Sequence, residues 1–280
     1  MTISKILITG RQTYLIVRRS YATGSKLVEA TRDNDTGIDI ISMTRAPVNS
    51  LNTQLLDALR ASLLEAQNNH SKGIILTSSL PTIFSAGFDL TELYKNDEKG
   101  LNFLWKTLQD TWLTLYNLNI PIATTINGSC PGGGCLLAIS TEYRVFVKGK
   151  HTIGLNETDT GIPIPKWFKH LYISLLGDRQ AELALLKGSL FTPEEALQIK
   201  LVDELATNKP DAIEKCKNYI LLCNCIPNIE RTVTKLEMRN SLIQWMKENK
   251  EEIDQLVDYV MLPKVQLKLK FYIDSLKKKQ

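Results

Sequence analysis

A strand followed by a glycine-rich turn and a helix start constrains this chain more than any other stretch. The apolar, β-branched run at residues 120–126 ends at Asn127-Gly128, and the glycine triplet at 132–134 precedes a small-residue segment that favours a helix. Glycines carry no side chain, so a ligand can lie against this backbone. The first turn of a helix offers free N–H groups at the positive end of its dipole. The turn therefore predicts a site for a negative charge, either a bound phosphate or an oxyanion that develops during a reaction.

The residues after the glycines favour the oxyanion. A phosphate-binding P-loop places Lys and then Ser or Thr directly after its last glycine. This chain has Cys135 and Leu136 there. We therefore expect the turn to face a developing oxyanion rather than a bound phosphate.

The composition is typical of a globular protein and excludes several classes. The chain has 280 residues, of which 43% are hydrophobic and 23% charged. Its formal net charge of +4 comes without a basic, aromatic-interleaved surface, so we predict no nucleic-acid partner. No apolar run is long enough to span a bilayer, so we predict no membrane insertion.

Cysteine and histidine usage disfavours metal and nucleophile chemistry. The chain has five cysteines, none in a C-x-x-C pair, and three histidines. This pattern indicates a reducing compartment without a disulfide framework. We predict neither a metal site nor a Ser-His triad.

The first residues are basic and free of acids. Residues 1–28 hold five Lys or Arg and no Asp or Glu, with Ser, Thr and Tyr scattered between apolar groups. Such a leader is typical of a mitochondrial transit peptide. We predict a transit peptide at residues 1–21, cleaved after Tyr21, a linker at 22–35, and localisation in the mitochondrial matrix. The alternative is a disordered basic tail.

Strand and helix patterns alternate through the first 150 residues. We predict strands at residues 37–44, 73–78, 120–126 and 143–147, and helices at 49–69 and 101–118. This alternation predicts an α/β fold with a mostly parallel sheet. From residue 166 the pattern is almost entirely helical, with segments at 166–176, 178–187, 193–199, 209–224 and 229–277. We divide the chain into a core at residues 36–210 and a C-terminal helical region at 211–280.

Three loops, each after a predicted strand, carry the polar and glycine-rich residues. They lie at residues 84–90, 127–134 and 154–162. Loops at the carboxyl ends of strands form the ligand crevice of an α/β sheet. Each loop alone is a weak signal, but their order and spacing are more specific.

These loops resemble the crotonase (enoyl-CoA hydratase/isomerase) superfamily over about residues 36–275. The resemblance is carried by residues 84–90, by Ile126-Asn127-Gly128 with the glycine triplet, by Gly161-Ile162 and by residues 192–196. It implies a crotonase-type spiral of ββα turns, whose C-terminal helices cover the site and help to form a homotrimer. Glu142 departs from the pattern, since the family usually has Asp there.

The resemblance also implies the chemistry. An acyl-CoA thioester would bind with its carbonyl oxygen between the backbone N–H groups of Phe88 and Gly133. Glu157 matches the single catalytic glutamate of the family's isomerases. The substrate-binding segment implied around Phe88 comprises Ala86, Gly87, Asp89 and Leu90. No cofactor is implied, because CoA is part of the substrate.

The expected properties of Glu157 follow from its sequence neighbours. Leu155, Ile153, Ile162 and Ile164 predict an apolar pocket, and desolvation there would raise the pKa of the glutamate. A raised pKa suits a group that must both take and return a proton.

Leu136 determines which reaction we expect. By resemblance, hydratases carry a second glutamate at this position, and dienoyl-CoA isomerases carry carboxylates at the positions of Leu136 and Pro165. A single carboxylate suits an isomerase that takes a proton from C2 of a 3-cis- or 3-trans-enoyl-CoA and returns it to C4. The product would be 2-trans-enoyl-CoA, in β-oxidation of unsaturated fatty acids. A hydratase of the same family and a non-catalytic acyl-CoA-binding protein are the alternatives.

Several residues keep two interpretations. Asp159 is either an assistant of Glu157 or a turn former. Trp167 and Phe168 either line an acyl pocket or belong to the helical core. The lysines considered for the CoA phosphates, each equally consistent with a solvated helix face, are Lys264, Lys268, Lys270 and the terminal Lys277, Lys278 and Lys279.

Overall fold

The computed structural model describes Ile16–Val17 and residues 27–277. The strands are β1 (Ile16–Val17), β2 (Val28–Asp33), β3 (Asp39–Met43), β4 (Ile74–Ser78), β5 (Ile122–Ile126), β6 (Cys130–Pro131), β7 (Tyr143–Val147), β8 (Ile153–Gly154) and β9 (Glu204–Ala206). The helices are α1 (Thr53–Asn68), α2 (Leu90–Leu93), α3 (Glu98–Tyr116), α4 (Gly133–Ile139), α5 (Glu157–Thr160), α6 (Lys166–Leu176), α7 (Asp178–Lys187), α8 (Pro193–Gln198), α9 (Lys209–Asn224), α10 (Asn228–Glu248), α11 (Glu251–Met261) and α12 (Pro263–Lys277). Apart from Ile16–Val17, the predicted transit peptide lies outside the described residues.

The strands form one large sheet and one small sheet. The large sheet has the order β1-β2-β3-β4-β5-β7-β9, antiparallel from β1 to β3 and parallel from β3 to β9. The small sheet pairs β6 with β8. The chain therefore runs β5-β6-α4 and then β7-β8-α5, and in both runs a strand of the large sheet is followed by a strand of the small sheet. This repeat is the ββα spiral that the resemblance implied, and the α/β fold prediction is confirmed.

The structure corrects the sequence predictions at three places. The predicted linker is wrong for residues 28–33, which form β2 and pair with β3. An antiparallel strand with one solvated face tolerates polar residues, so its polarity did not exclude a strand. The predicted helical segment 229–277 is three helices, with Pro263 in the first turn of α12. The three-residue strand β9 is too short for its period to show in the sequence.

Both faces of the sheet are covered by helices. On one face, α1 buries Leu55, Leu59 and Leu63 in the main core, as the leucine spacing predicted. On the other face, Cys216 and Ile220 of α9 join a second apolar cluster with sheet residues such as Ile75 and Val145. The predicted boundary at residue 210 falls inside α9, which packs on the sheet as part of the core.

Glu142 attaches the C-terminal helices to the sheet. Its nearly buried carboxylate pairs with Arg231, lies 2.7 Å from Lys235 Nζ, and accepts a 3.2 Å hydrogen bond from the Tyr219 hydroxyl. Burial lowers the pKa of Lys235 to about 8, and the charge of Glu142 opposes that change. The glutamate that departs from the family pattern is thus the anchor of α10.

The last helices return toward the loops at the carboxyl ends of the strands. The Gln266 side chain in α12 donates to the Leu93 carbonyl at 3.0 Å and accepts from the Lys95 N–H at 2.9 Å. The Lys166 N–H at the start of α6 donates to Glu252 in α11 at 2.6 Å. None of the described helices is long and apolar enough to cross a bilayer.

Arg144 is a buried charge whose removal tests the packing of β7. Its guanidinium donates to the carbonyls of Leu201 and Thr141 at 3.0 Å each and pairs with Asp203 at 2.8 Å. Arg144→Met leaves these acceptors without a donor, so we expect the free energy of unfolding to fall by about 3 kcal/mol or more. Urea unfolding at a fixed protein concentration measures the change.

The matched control is Arg179→Met. Arg179 forms an exposed pair with Glu182 on α7. Such pairs contribute at most about 1 kcal/mol. Equal losses in the two variants would contradict the structural role of Arg144.

Candidate active site

The glycine turn leaves a backbone donor free at the start of α4. Gly132 precedes the helix with φ of 55° and ψ of −126°, a conformation that favours glycine. Gly133 is the first helical residue, so its N–H belongs to the unsatisfied first turn. Within the described part of the chain, this N–H has no acceptor.

The loop before α2 supplies a second free donor. The Leu51 N–H donates to the Gly87 carbonyl at 2.7 Å, and the Asp89 N–H donates to the Leu51 carbonyl at 3.0 Å. These bonds engage both neighbours of Phe88, whose own N–H finds no acceptor among residues 27–277. A Cβ on Gly87 would lie 3.3 Å from the Gly133 nitrogen, so the two segments adjoin. Two neighbouring free N–H groups can stabilise a developing oxyanion.

The glycines here are required by space as well as by conformation. A Cβ on Gly133 would lie 2.9 Å from Leu51 Cδ1, and a Cβ on Gly134 would lie 2.8 Å from the Ser85 carbonyl oxygen. Contacts this short force a neighbour to move. The close approach of the two loops therefore depends on residues without side chains.

The other residues predicted around Phe88 are partly engaged with the protein. The N–H groups of Ala86 and Gly87 donate to the Val48 carbonyl and the Ser85 hydroxyl. The Asp89 carboxylate pairs with Arg45 at 2.7 Å and caps α2, which begins at Leu90. Of Ala86, Gly87, Phe88 and Asp89, only Phe88 thus keeps its N–H free for a ligand.

Glu157 is a buried carboxylate beside the glycine turn. It is the first residue of α5 and only 3% exposed. Neither of its carboxylate oxygens has a hydrogen-bond partner among the described residues. A Cβ on Gly132 would lie 3.3 Å from Glu157 Oε1, which puts the carboxylate next to the residue that precedes Gly133.

Burial raises the pKa of Glu157 from its ordinary value of 4.5 to about 7. Desolvation disfavours the charged form, and the residue's own backbone N–H partly opposes that shift. Leu155, Ile162 and Ile164 are buried nearby in sequence, as the apolar-pocket prediction required. A carboxyl group with this pKa exchanges a proton readily near neutral pH.

Leu136 and Asp159 offer no second carboxylate beside Glu157. Leu136 is fully buried in α4 and belongs to the main core. Asp159 is exposed. A Cβ on Gly188 would lie 3.0 Å from the Cβ of Asp159. Its position in the first turn of α5 supports the turn-forming interpretation. No cluster of three His, Cys, Asp or Glu side chains suited to a metal ion occurs in the described residues.

Two polar residues near Glu157 were missed by sequence reasoning. A Cβ on Gly132 would lie 3.4 Å from Asn156 Oδ1, which places this amide at the same turn. The Tyr172 hydroxyl in α6 is buried without a hydrogen-bond partner in the described chain. Burial, the nearby Cys135 thiol and Glu157 raise the pKa of Tyr172. Asn156 directly precedes Glu157 within the 154–162 loop, but sequence reasoning assigned it no role. Tyr172 lies in no motif, and only the fold brings it to the site.

Trp167 belongs to the helical core, whereas Phe168 lies beside a site residue and keeps the acyl-pocket interpretation. The Trp167 ring packs edge-on against Trp112, 4.8 Å away, within the helical core. The Phe168 ring stacks with Phe88 at 6.3 Å, and Phe88 also contacts Trp105 at 5.4 Å. Trp167 is therefore a core residue, whereas Phe168 touches the side chain of a site residue.

Of the lysines considered for the CoA phosphates, Lys264, Lys268 and Lys270 are exposed on α12, and the side chains of the terminal lysines lie outside the described residues. Lys268 lies against the Glu157 loop, because a Cβ on Gly161 would be 2.9 Å from Lys268 Cδ. The structure thus distinguishes Lys268 by its position, while Lys264 and Lys270 keep both interpretations.

Known proteins match this chain in sequence and in fold. A family model described as enoyl-CoA hydratase/isomerase matches residues 33–276. The mouse protein named "Enoyl-CoA delta isomerase 1, mitochondrial" is 36% identical over 274 residues, covering 97% of this chain and 94% of the relative. The human protein of that name is 35% identical over 260 residues, covering 92% and 86%.

Solved structures also match the fold of this chain. The crystal structure of human mitochondrial delta3-delta2-enoyl-CoA isomerase has a TM-score of 0.88 and 34% identity, covering 91% of this chain and 100% of that chain. An enoyl-CoA hydratase from Bacillus halodurans has a TM-score of 0.79 at 23% identity, covering 88% and 99%, and shows the fold alone.

The buried carboxyl of Glu157 makes stability depend on pH. With a pKa of about 7 when folded and 4.5 when unfolded, the folded chain binds more protons between these values. Stability therefore falls as the pH rises from 4.5 to 7 and stays lower above it. We expect Glu157→Gln to be about 3 kcal/mol more stable than the wild type at pH 8, and nearly equal to it at pH 4.5.

Urea unfolding of both proteins at the two pH values measures this difference. The control is Glu237→Gln, which makes the same substitution at an exposed glutamate on α10. The same stability difference at both pH values would contradict a raised pKa at Glu157.

Proposed function

This chain belongs to the enoyl-CoA hydratase/isomerase family, and we propose that it converts 3-cis- or 3-trans-enoyl-CoA to 2-trans-enoyl-CoA. The observation that carries this proposal is the single buried carboxylate of Glu157 beside the free N–H groups of Phe88 and Gly133. The named relatives and the human structure are isomerases of this kind. The reaction belongs to the β-oxidation of unsaturated fatty acids.

The two N–H groups hold the thioester carbonyl oxygen. Removal of a proton from C2 puts negative charge on this oxygen, so the donors bind the transition state more strongly than the substrate. Each such donor accounts for roughly 10²–10³ in rate. The helix dipole of α4 adds a positive potential at Gly133.

Glu157 moves the proton. As a carboxylate it accepts the C2 proton, and the electron pair passes into a dienolate whose charge rests on the thioester oxygen. The protonated Glu157 then returns the proton to C4, and the C2–C3 double bond forms as the oxyanion collapses. One group serves both carbons because they lie on one face of the same planar dienolate.

The surroundings of Glu157 disfavour water addition. A hydratase needs a second polar group to hold and activate the attacking water. Leu136 cannot form a hydrogen bond, and Asp159 packs toward Gly188. These two residues favour an isomerase over the hydratase alternative.

The reaction as proposed needs no metal or redox cofactor. Moving a C=C bond within one molecule changes no net oxidation state, and one carboxylate transfers the only proton involved. CoA enters and leaves as part of the substrate.

We assign the chain to the mitochondrion and propose the matrix as its compartment. The relatives from mouse, rat and human carry "mitochondrial" in their names. The acid-free, basic composition of residues 1–28 supports this assignment.

The isomerase proposal predicts the behaviour of Glu157→Gln. The amide cannot accept the C2 proton, so we expect the rate of 3-enoyl-CoA isomerisation to fall by roughly 10²–10⁴. The matched control Asp159→Asn, two residues away and exposed, should keep nearly wild-type activity. The assay follows the appearance of the conjugated 2-enoyl thioester by its ultraviolet absorbance.

Three outcomes would contradict this assignment. Equal rates for the wild type and Glu157→Gln would exclude Glu157 as the base. Hydration of crotonyl-CoA as fast as isomerisation would identify a hydratase. Tight binding of the thioester without turnover would identify a non-catalytic acyl-CoA-binding protein.

We propose that the chain assembles as a homotrimer. Large apolar side chains on α9 and α10 are exposed in the single chain, notably Leu222 at 69%, Ile229 at 74% and Met238 at 80%. Single exposed apolar residues are common, but a set of them on two consecutive helices is expected of a surface that another molecule covers. The family resemblance supports a second and a third copy of this chain as the covering molecules.

Light scattering after gel filtration tests the assembly. We expect a mass three times the 31.6 kDa of one chain. Ile229→Glu should weaken the trimer, because a charge buried in an interface is unfavourable. Glu237→Gln is the control on the same helix. A monomeric or dimeric mass for the wild type would contradict the proposal.

A further inference from the structure

The hydroxyl of Ser85 bonds to Gly87, the residue that precedes the Phe88 donor. Ser85 is fully buried. Its hydroxyl donates to the Asn49 carbonyl at 2.8 Å and accepts from the Gly87 N–H at 3.2 Å. The Gly87 carbonyl, on the far side of that residue, accepts from the Leu51 N–H. Gly87 is thus held on both sides, and the direction of the Phe88 N–H that follows it is fixed.

Ser85 also touches the glycine turn. A Cβ on Gly134 would lie 2.8 Å from the Ser85 carbonyl oxygen and 3.0 Å from Ser85 Cβ, so the two backbones are in contact. The Ser85 N–H and the Phe84 N–H both donate to the Ser129 carbonyl, at 3.3 and 3.0 Å. One residue therefore connects the loop that carries Phe88 with the turn that carries Gly133.

Asn49 holds the Ser85 hydroxyl in place. It is fully buried, with φ of 49°, a conformation that asparagine tolerates better than most residues. Its amide donates to the Ser78 hydroxyl at 2.8 Å and to the Phe84 carbonyl at 3.0 Å. The acceptor of the Ser85 hydroxyl is thereby attached to the end of β4, in the rigid core.

We propose that Ser85 is a positioning residue whose hydroxyl, held by Asn49, sets the distance and direction between the Phe88 and Gly133 N–H groups. This inference rests on the proposed function, in which those N–H groups bind the thioester oxygen. Ser85 acts through Gly87 and Gly134 and does not itself touch the substrate. Loss of the Ser85 hydroxyl should reduce the stabilisation of the transition state more than that of the substrate complex, because negative charge on the oxygen is largest in the transition state.

Ser85→Ala removes both hydroxyl bonds and adds no atoms. A misplacement of an ångström at a reacting group lowers rates by up to about 10², so we expect kcat to fall about 10- to 100-fold. We expect KM to change less than about threefold, because ground-state binding depends little on the oxyanion contacts.

The matched control is Ser71→Ala. Ser71 is another buried serine, whose hydroxyl donates to the Gly73 carbonyl at 2.7 Å and accepts from the Asp39 N–H at 3.2 Å. It lies before β4, at the opposite end of that strand from the site. Its loss should lower stability by a similar mechanism and leave kcat unchanged.

Infrared spectroscopy of the bound thioester separates positioning from stability. With 2-trans-enoyl-CoA labelled with ¹³C at the carbonyl, two well-aimed N–H donors lower the C=O stretching frequency relative to the free ligand. We expect the wild type and Ser71→Ala to show the full shift, and Ser85→Ala a smaller one. Only folded, ligand-bound protein contributes to this band, so partial unfolding does not mimic the effect.

Ser85→Cys provides a second variant if Ser85→Ala folds poorly. A thiol is a weaker donor than a hydroxyl, so we expect an intermediate frequency shift and kcat. A wild-type shift and kcat in Ser85→Ala, or equal losses in Ser85→Ala and Ser71→Ala, would overturn this inference while leaving the isomerase proposal intact. A wild-type protein that does not isomerise 3-enoyl-CoA would overturn both.

Discussion

The close approach of two backbone segments at Gly87 and Gly133 is the contact on which the rest of the site depends. It brings together two N–H groups that no protein acceptor engages in the described chain. Side chains would prevent this approach, because a Cβ at either glycine would lie too close to atoms of the neighbouring segment. The core strands and the Asn49–Ser85 hydrogen bonds act as supports that keep the two loops at this distance.

The second constraint is a carboxylate that the fold leaves without a partner. Burying Glu157 without hydrogen bonds is unfavourable and raises its pKa to about 7. The same desolvation gives the group the proton affinity that a base and acid near neutral pH requires. In the proposed reaction, the lower stability of this region follows from keeping the proton-transfer group unpaired. Leu136 supplies no second carboxylate beside it.

The C-terminal helices contact both the loops of this site and Glu142, the residue that precedes β7. Glu142 anchors α10 through Arg231 and Lys235. The last helix, α12, contacts α2 through Gln266 and the Glu157 loop through Lys268. The helical region is thus fixed at both ends of the sheet. The apolar side chains that α9 and α10 leave exposed lie on the surface that we assign to self-association.

The amino-acid sequence by itself determined the strand and helix alternation, the glycine turn and the apolar neighbours of Glu157, because these are local patterns of period, backbone freedom and hydropathy. The family motifs supplied the spiral fold and the pairing of Phe88 with Gly133. Only the tertiary structure decided that residues 28–33 are a strand, that α9 belongs to the core, that Ser85 contacts Gly134, and that Tyr172 lies near Glu157. Strand pairing and buried polar contacts join residues distant in the chain, and no local pattern encodes such distances.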